Sequence, residues 1–416
     1  MTFSFSIKNR IGSENFDTIQ TFFSRILSFG ISLLFKILLA RILTIEQNGL
    51  FGKWLASYNY AIIAFTLGLN LSLIYFRDNN KNSIINNFFG NILIYTILLV
   101  SCLIIGLFFT SKLYYYALFF SVFFGLLISS LNSTQLAQNN ITIFNMTEIS
   151  RNLFILFICI IPLFYYSSES IGFLYILYTI ALLLTFLIFV NKLNISKFKF
   201  AEFILPNWKY LKYGLKGALL NFLGQSLYVI DIFIVSYMLG ARMLGIYVVA
   251  SSISRLLWFF VDAAGATIFP RLVEDTEILS KQNSIYKLST FSFVISIIGV
   301  IFFYFFGEFL ISISFGSDYN EGFLTIIVLM IASPGMIFYK LINRYLASNN
   351  DWSKSYLAIC ISVLINVLLN FILIKKFNIM GAAYASLISY WLCGFLISRF
   401  AGFSLYKLMF SKDFIK

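Results

Sequence analysis

Apolar runs of about 20 residues recur along the chain, separated by short polar breaks. A helix needs about 20 apolar residues to cross a hydrocarbon core about 30 Å thick, so each run predicts a membrane span. Twelve fit: Thr18–Leu43, Leu50–Phe76, Asn86–Thr110, Tyr114–Gln138, Ile149–Tyr166, Ile171–Val190, Leu211–Leu239, Leu244–Phe269, Tyr286–Phe306, Phe323–Leu346, Tyr356–Ile374 and Ile379–Phe400. No break is long enough for an extramembrane domain. The largest, Asn191 to Tyr210, holds Lys192, Lys197, Lys199 and Lys209. The expected fold is all-α and integral to a membrane.

The pattern also repeats. Leu43 to Phe51 closes the first span and Leu239 to Tyr247 closes the seventh; both read Leu, five residues, Gly, apolar, aromatic. Leu136-Ala137-Gln138-Asn139-Asn140 matches Leu346-Ala347-Ser348-Asn349-Asn350, and Gly172-Phe173-Leu174-Tyr175 matches Gly381-Ala382-Ala383-Tyr384. Each match joins span n to span n+6. Three in order predict two six-helix bundles in the same orientation, residues 1–195 and 211–416, joined by a linker at 196–210. This is a transporter-like plan with a cavity between halves.

Composition narrows the function. Hydrophobic residues make up 60% and charged residues 11% of 416 positions, against about 25% charged in a soluble domain. A soluble enzyme or binding module is excluded on that ground. With no histidine, imidazole catalysis and histidine metal ligation are excluded too. The net charge of +13 reads as basic loops facing anionic lipid, with no nucleic-acid partner. With the N-terminus cytoplasmic, that side collects about 17 loop cations and the other about 5. The inner set includes Lys8, Arg10, Arg77, Lys81, Lys281, Lys287, Lys354, Lys407, Lys412 and Lys416; Lys375 and Lys376 break the bias. Twelve spans then put both termini inside. Cys102, Cys159, Cys360 and Cys393 stand singly in apolar runs and read as packing thiols. The polar stretch Met1–Asp17 and the long span after it do not read as a cleavable signal.

The candidate chemistry lies in polar residues too deep to reach the surface. A charge at the bilayer centre costs about 2.5–3.5 kcal/mol on insertion scales and marks function by default. Arg25 and Lys36 share one face of the first span, with Ser28 and Ser32 between them. Arg255 and Asp262 share a face of the eighth. Asn221, Gln225, Tyr228 and Asp231 form a stripe on the seventh, and Asn366 and Asn370 sit at i, i+4 on the eleventh. Such stripes should line an interior. Arg255 with Asp262, or Asp231 with Arg25, could simply neutralise one another. The functional alternative is a net-cationic cavity for an anion, since Arg and Lys donors match phosphate oxygens. Lys53 either snorkels or lines that cavity; Lys340 and Arg344 either snorkel or form a phosphate access site. Arg151 reads as an anchor opening the fifth span. Pro162 and Ser333-Pro334-Gly335 read as kinks.

The segment Ala40-Arg41-Ile42-Leu43 through Gly49-Leu50-Phe51-Gly52 resembles the junction of the first two helices of polysaccharide-lipid flippases. Asp231 followed by Leu239-Gly240 and Gly245-Ile246-Tyr247, and Asn366 and Asn370 with Gly381-Ala382-Ala383, extend the resemblance over most of the chain. Twelve helices fit Wzx-type O-antigen or capsule-unit flippases. The resemblance implies the multidrug/oligosaccharidyl-lipid/polysaccharide exporter fold, a V-shaped pair of six-helix bundles like that of multidrug exporters. It also implies transfer of an undecaprenyl-diphosphate-linked oligosaccharide from the inner to the outer leaflet of a bacterial inner membrane. Polysaccharide assembly proteins are further implied partners. Peptidoglycan-precursor flippases of that superfamily have two further helices. Their basic cavity residues have counterparts in Arg25, Lys53 and Arg255, with Lys53 giving a point charge where a bidentate arginine is expected.

The mechanism expected is alternating access, with Arg25, Lys36 and Arg255 holding the phosphates. No G-x-x-x-x-G-K-[ST] loop occurs, so an H+ or Na+ gradient, or consumption of product, would drive it, with Asp231 and Asp262 as coupling acids. No cofactor is expected. Two rivals remain: a multidrug cation antiporter of the same fold, which would want an acidic cavity, and a membrane polysaccharide polymerase or ligase, which would want a long outer loop.

Overall fold

The computed structural model describes residues 13–76, 81–109, 113–165, 171–193, 208–258, 261, 262, 272, 275, 277–349 and 351–411. Among them every regular element is helical: α1 Ser13–Ile42, α2 Ile45–Phe65, α3 Leu69–Tyr75, α4 Lys81–Phe109, α5 Leu113–Ala137, α6 Ile141–Tyr165, α7 Ile171–Val190, α8 Trp208–Ser254, α9 Ile278–Ser314, a 3-10 turn Ser317–Gly322, α10 Phe323–Ser348, α11 Ser353–Ala401 and α12 Leu405–Met409. The chain is a multi-pass membrane protein. Phe302, Tyr304, Phe305, Phe306 and Phe309 stand exposed along α9, a surface that only lipid covers cheaply. Lys8, Arg10, Arg77, Lys197, Lys199, Lys412 and Lys416 lie outside the described residues.

Two long elements each hold two expected spans. Gly240, at φ 83°, interrupts α8, and Asn378, at φ 52°, interrupts α11. Both fall at the polar breaks read between the paired spans. Other boundaries differ. The second span, expected as one helix over Leu50–Phe76, is broken into α2 and α3 with a 51° bend. Leu67 and Gly68 take φ of 46° and 67°, a left-handed conformation suited to glycine. A Cβ on Gly68 would lie 1.9 Å from the Gly214 carbonyl oxygen, so only glycine fits. Hydroxyls from neighbouring helices also reach carbonyls around the break: the Tyr210 hydroxyl donates to Leu69 O at 3.1 Å and the Tyr95 hydroxyl to Thr66 O at 3.5 Å. An apolar run hides such a break, because Leu67 and Gly68 look like span residues.

The fifth helix begins at Ile141, eight residues before the expected Ile149. Thr142, Asn145 and Glu148 gave its first turns the look of a loop, but those polar groups face other helices. Thr142 Oγ1 donates to Gln20 (3.3 Å), Asn145 Nδ2 to Thr21 (3.2 Å) and Asn152 Nδ2 to Ser28 O (3.2 Å), fastening α6 to α1. Arg151 therefore lies inside the helix and does not open it. The ninth helix likewise outruns its expected Tyr286–Phe306, because Lys281 is buried and donates to Asn349 Oδ1 at 3.0 Å. The helices α6 and α10 run unbroken through Pro162 and Pro334. At Gly335 an added Cβ would lie 2.4 Å from Tyr390 O, so the Ser-Pro-Gly segment is where α10 presses on α11.

Contacts divide the chain into two units: residues 1–42 with 54–222, and residues 43–53 with 223–416. In the first, α1 packs on α6, and α5, α6 and α7 pack on one another. Trp54, Tyr58, Tyr175 and Tyr178 form a buried aromatic core there, with Trp54 4.9 Å from Tyr175 and 5.2 Å from Tyr178. In the second, α10 packs on α11 and α9. The start of α2 belongs with this unit, across the boundary expected from the sequence. A Cβ on Gly49 would lie 2.3 Å from Ala241 O, one on Gly245 2.1 Å from Ile45 O, and one on Gly52 2.7 Å from Val248. Ile45, Gly49, Ala241 and Gly245 fall within the first repeat match, so the two copies of the motif cross each other in a reciprocal contact.

Candidate functional site

The expected cations are divided between the two units. Arg25 is exposed on α1 and Lys36 is half-buried, both in the first unit. Lys53 is half-buried on α2, beside the Gly52–Val248 contact of the second unit. The second unit does bring Arg255, Asp262, Lys340 and Arg344 together.

Lys340 and Arg344, one turn apart on α10, project from the same face. Both reach Asp262, which follows the α8 segment: Lys340 Nζ to Oδ2 at 2.6 Å and Arg344 NH2 to Oδ1 at 3.3 Å. The Arg344 NH1 group also donates to Val261 O at 3.0 Å. Arg255 sits one turn earlier than Trp258 and donates to Tyr228 O at 3.0 Å, with its guanidinium 5.2 Å from the Tyr228 ring. Lys340 lies 5.0 Å from the Trp258 ring. Those two rings meet edge to face at 5.3 Å, and Trp258 meets Tyr390 at 5.8 Å. Cations on ring faces gain about 0.5–2 kcal/mol, more as water is removed.

Two cations thus share one carboxylate, with Arg255 beside them on the Tyr228 ring and within electrostatic reach of Asp231. The surplus of positive charge is what an anion would neutralise, and the planar donors of Arg255 and Arg344 suit phosphate oxygens. The indole N–H of Trp258 is buried with no hydrogen-bond partner, a further donor beside the cations. Sequence reasoning named the four charged residues and Tyr228 but missed Trp258 and Tyr390. Their only signal was aromaticity, shared with a fifth of the chain.

Asp231, in the same unit and within electrostatic reach of Arg255, is buried. Its carboxylate accepts from the Tyr247 hydroxyl, from Ser386 Oγ at 3.1 Å and from Ile232 N at 3.0 Å. The network continues on α11: Ser389 Oγ donates to Ser386 O (3.2 Å), Asn366 Nδ2 to Ser389 Oγ (2.8 Å) and Asn370 Nδ2 to Asn366 Oδ1 (3.1 Å). Asn366 and Asn370, expected on a cavity wall, are fully buried, and Asn370 Oδ1 has no hydrogen-bond partner. Tyr247, Ser386 and Ser389 were not anticipated as site residues; the two serines stand one turn apart on α11, and only the fold brings them to Tyr247 and Asp231. Asn221 is exposed in the first unit, and Gln225 Oε1 is buried without a partner.

A family model described as polysaccharide biosynthesis protein matches residues 17–275. An uncharacterized membrane protein of Methanocaldococcus jannaschii is 29% identical over 208 residues, 50% of this chain and 48% of that one. A probable low-salt glycan biosynthesis flippase of Haloferax volcanii, Agl15, is 29% identical over 164 residues, 38% of this chain and 34% of that one. The alignments thus span about half and a third of those relatives' lengths. Among solved structures, the lipid II flippase MurJ in its inward closed conformation superposes with a TM-score of 0.76 at 17% identity, covering 96% of this chain and 90% of that one. That likeness establishes the exporter fold expected from the sequence.

Proposed function

This chain belongs to the polysaccharide biosynthesis protein family, and from that premise we propose that it is a flippase for a lipid-linked glycan. Its cargo is a polyprenyl diphosphate bearing sugars, in bacteria undecaprenyl diphosphate, moved by alternating access from the cytoplasmic leaflet to the opposite one. The protein would sit in the cell membrane with both termini cytoplasmic, and hand its product to polysaccharide assembly proteins. No bond is made or broken, so this is transport and not catalysis.

One observation carries the reading: within apolar spans Lys340 and Arg344 share the carboxylate of Asp262, and Arg255 adds a third cation on the adjoining Tyr228 ring, so three cations face the two carboxylates of Asp262 and Asp231. Cations held there repay their desolvation only when an anion completes the site. A multidrug cation carrier would gain nothing from that surplus. Asp231 is the candidate coupling acid, because its carboxylate is held by hydroxyl and amide donors that a proton or Na+ would displace or complement. Asp262 would instead hold Lys340 and Arg344 until phosphate replaces it.

The test is reconstitution into liposomes with fluorescent undecaprenyl-diphosphate oligosaccharide and a membrane-impermeant quencher. Wild type should move the lipid, and Arg255→Ala should slow it at least about tenfold, the loss of one charge-assisted contact. Transport at the wild-type rate by Arg255→Ala would remove the cationic site from the mechanism. Replacing an imposed H+ or Na+ gradient by none should slow wild type and leave Asp231→Asn unaffected.

A further inference from the structure

The first unit has a charged pair of its own inside a span, for which phosphate binding has no use. Glu148 and Arg151 lie one turn apart on α6, with NH1 donating to Oε1 at 3.2 Å and NH2 to Oε2 at 2.7 Å. Asn132 on α5 donates its amide to Glu148 Oε1 at 2.5 Å, while its own Oδ1 is buried with no hydrogen-bond partner. One turn further along α5, Gln135 Nε2 is also buried without an acceptor. The Tyr58 and Tyr178 hydroxyls lie within electrostatic reach of Arg151, at the edge of the Trp54 aromatic core. Glu148 and Arg151 are themselves 27% and 30% exposed, so one edge of the group can be reached.

An ion pair in apolar surroundings adds little to stability compared with well-packed hydrophobic residues. Amide atoms left unsatisfied beside it cost about 1–3 kcal/mol each. A structural role alone leaves that arrangement unaccounted for. Its chemistry is specific: net neutral, dense in both donors and acceptors, and flanked by aromatic rings. The carboxylate repels phosphate and the guanidinium repels organic cations. Neighbouring hydroxyls of a sugar ring, or an acetamido group, can each donate to Glu148 and accept from Arg151 at once, while the buried Asn132 amide holds Glu148 in place.

We propose that Glu148, Arg151 and Asn132 form a sugar-recognising site that reads the glycan of the cargo. It rests on the flippase reading and divides the labour within it: phosphate is held by the second unit, and sugar identity is sensed by the first.

The test combines binding and transport. For binding, tritiated oligosaccharide released by mild acid from the lipid-linked pool of the producing cells is dialysed against purified protein in detergent. For transport, liposomes carry either undecaprenyl-diphosphate oligosaccharide or sugar-free undecaprenyl diphosphate. The double variant Glu148→Gln, Arg151→Gln should bind the free oligosaccharide about tenfold more weakly. It should slow the sugar-bearing lipid by a similar factor and leave the sugar-free lipid at the wild-type rate. Should the double variant fail to fold, Asn132→Leu, which keeps the ion pair, should weaken the same dialysis binding about threefold or more. Oligosaccharide binding at wild-type strength overturns the proposal, and so does an equal fall for both lipids. Wild-type protein that binds the oligosaccharide yet moves neither lipid would overturn the transport reading and leave the sugar site standing.

Discussion

In the first unit Arg151 meets Glu148 on the same helix, one turn away, so the pair closes through local geometry and is neutral as built. In the second unit Asp262 is shared by two cations from another helix, and Arg255 stands on the adjoining aromatic rings, so the charge is unbalanced. The first arrangement survives any movement that keeps α6 intact. The second depends on how α10 lies against the segment after α8, and a shift of one past the other would redistribute two salt bridges. A local neutral pair suits a site that must read a neutral polar group. A surplus assembled across helices suits one that must take up a charged group and later release it.

The sharpest way to break this comparison is transport of sugar-free undecaprenyl diphosphate. Neutralising both α10 cations, Lys340→Gln with Arg344→Gln, removes two charge-assisted contacts worth about 1.5 kcal/mol each, so transport should fall about a hundredfold. The Glu148→Gln, Arg151→Gln variant should leave that cargo unaffected. If the two variants slow it equally, the units do not divide phosphate from sugar.

Stability gives a second, smaller separation. Asp262→Ala leaves Lys340 and Arg344, about one-fifth exposed, without the carboxylate between them. Breaking a buried pair costs about 3–5 kcal/mol, and discounting for the 45% exposure of Asp262 leaves about 2–3. Glu148→Ala removes the partner of one cation, 30% exposed, and should cost about 1–2 kcal/mol. Thermal or urea unfolding in detergent measures both. A larger loss from Glu148→Ala would mean that the first unit's pair is chiefly a structural clamp.

Much of this was legible in the chain. Span count and the breaks near Gly240 and Asn378 follow from hydropathy, since lipid imposes a length on every apolar run. The charged members of the second site were legible too, because a cation in an apolar run announces its cost. The bend at Gly68 was not: its causes are a left-handed backbone and the close approach of Gly214, both tertiary. Arg151 was expected to open the fifth span, and Glu148 was not singled out, for a related reason. Polar residues that bind to α1 and α5 made the helix start look like a loop, and Arg151 like a surface anchor. The Asp231 network was half visible. Asp231, Asn366 and Asn370 stood out as polar residues in apolar runs, but Tyr247, Ser386 and Ser389 are small or common there, and only packing makes them donors.

A third ion pair calibrates the other two. Asp351 and Lys354 have the i, i+3 spacing and the 2.7 Å separation of Glu148 and Arg151, but Asp351 precedes α11 and Lys354 lies in its first turn, both about a third or more exposed. The Lys354 ammonium, donating to the carboxylate, and the Ser353 hydroxyl hold Asp351 below the ordinary carboxylate range. A carboxyl whose folded pKa is depressed adds stability above its unfolded value of about 4 and loses it as pH falls through the folded value. Solvent screening limits that contribution to a few tenths of a kcal/mol. Asp351→Asn should therefore lower the unfolding midpoint slightly at pH 7, and the difference from wild type should disappear toward about pH 3. If Asp351→Asn costs as much at pH 7 as Glu148→Ala, spacing alone sets the strength of such pairs, and the setting of Glu148 among Asn132 and the aromatic core adds nothing to it.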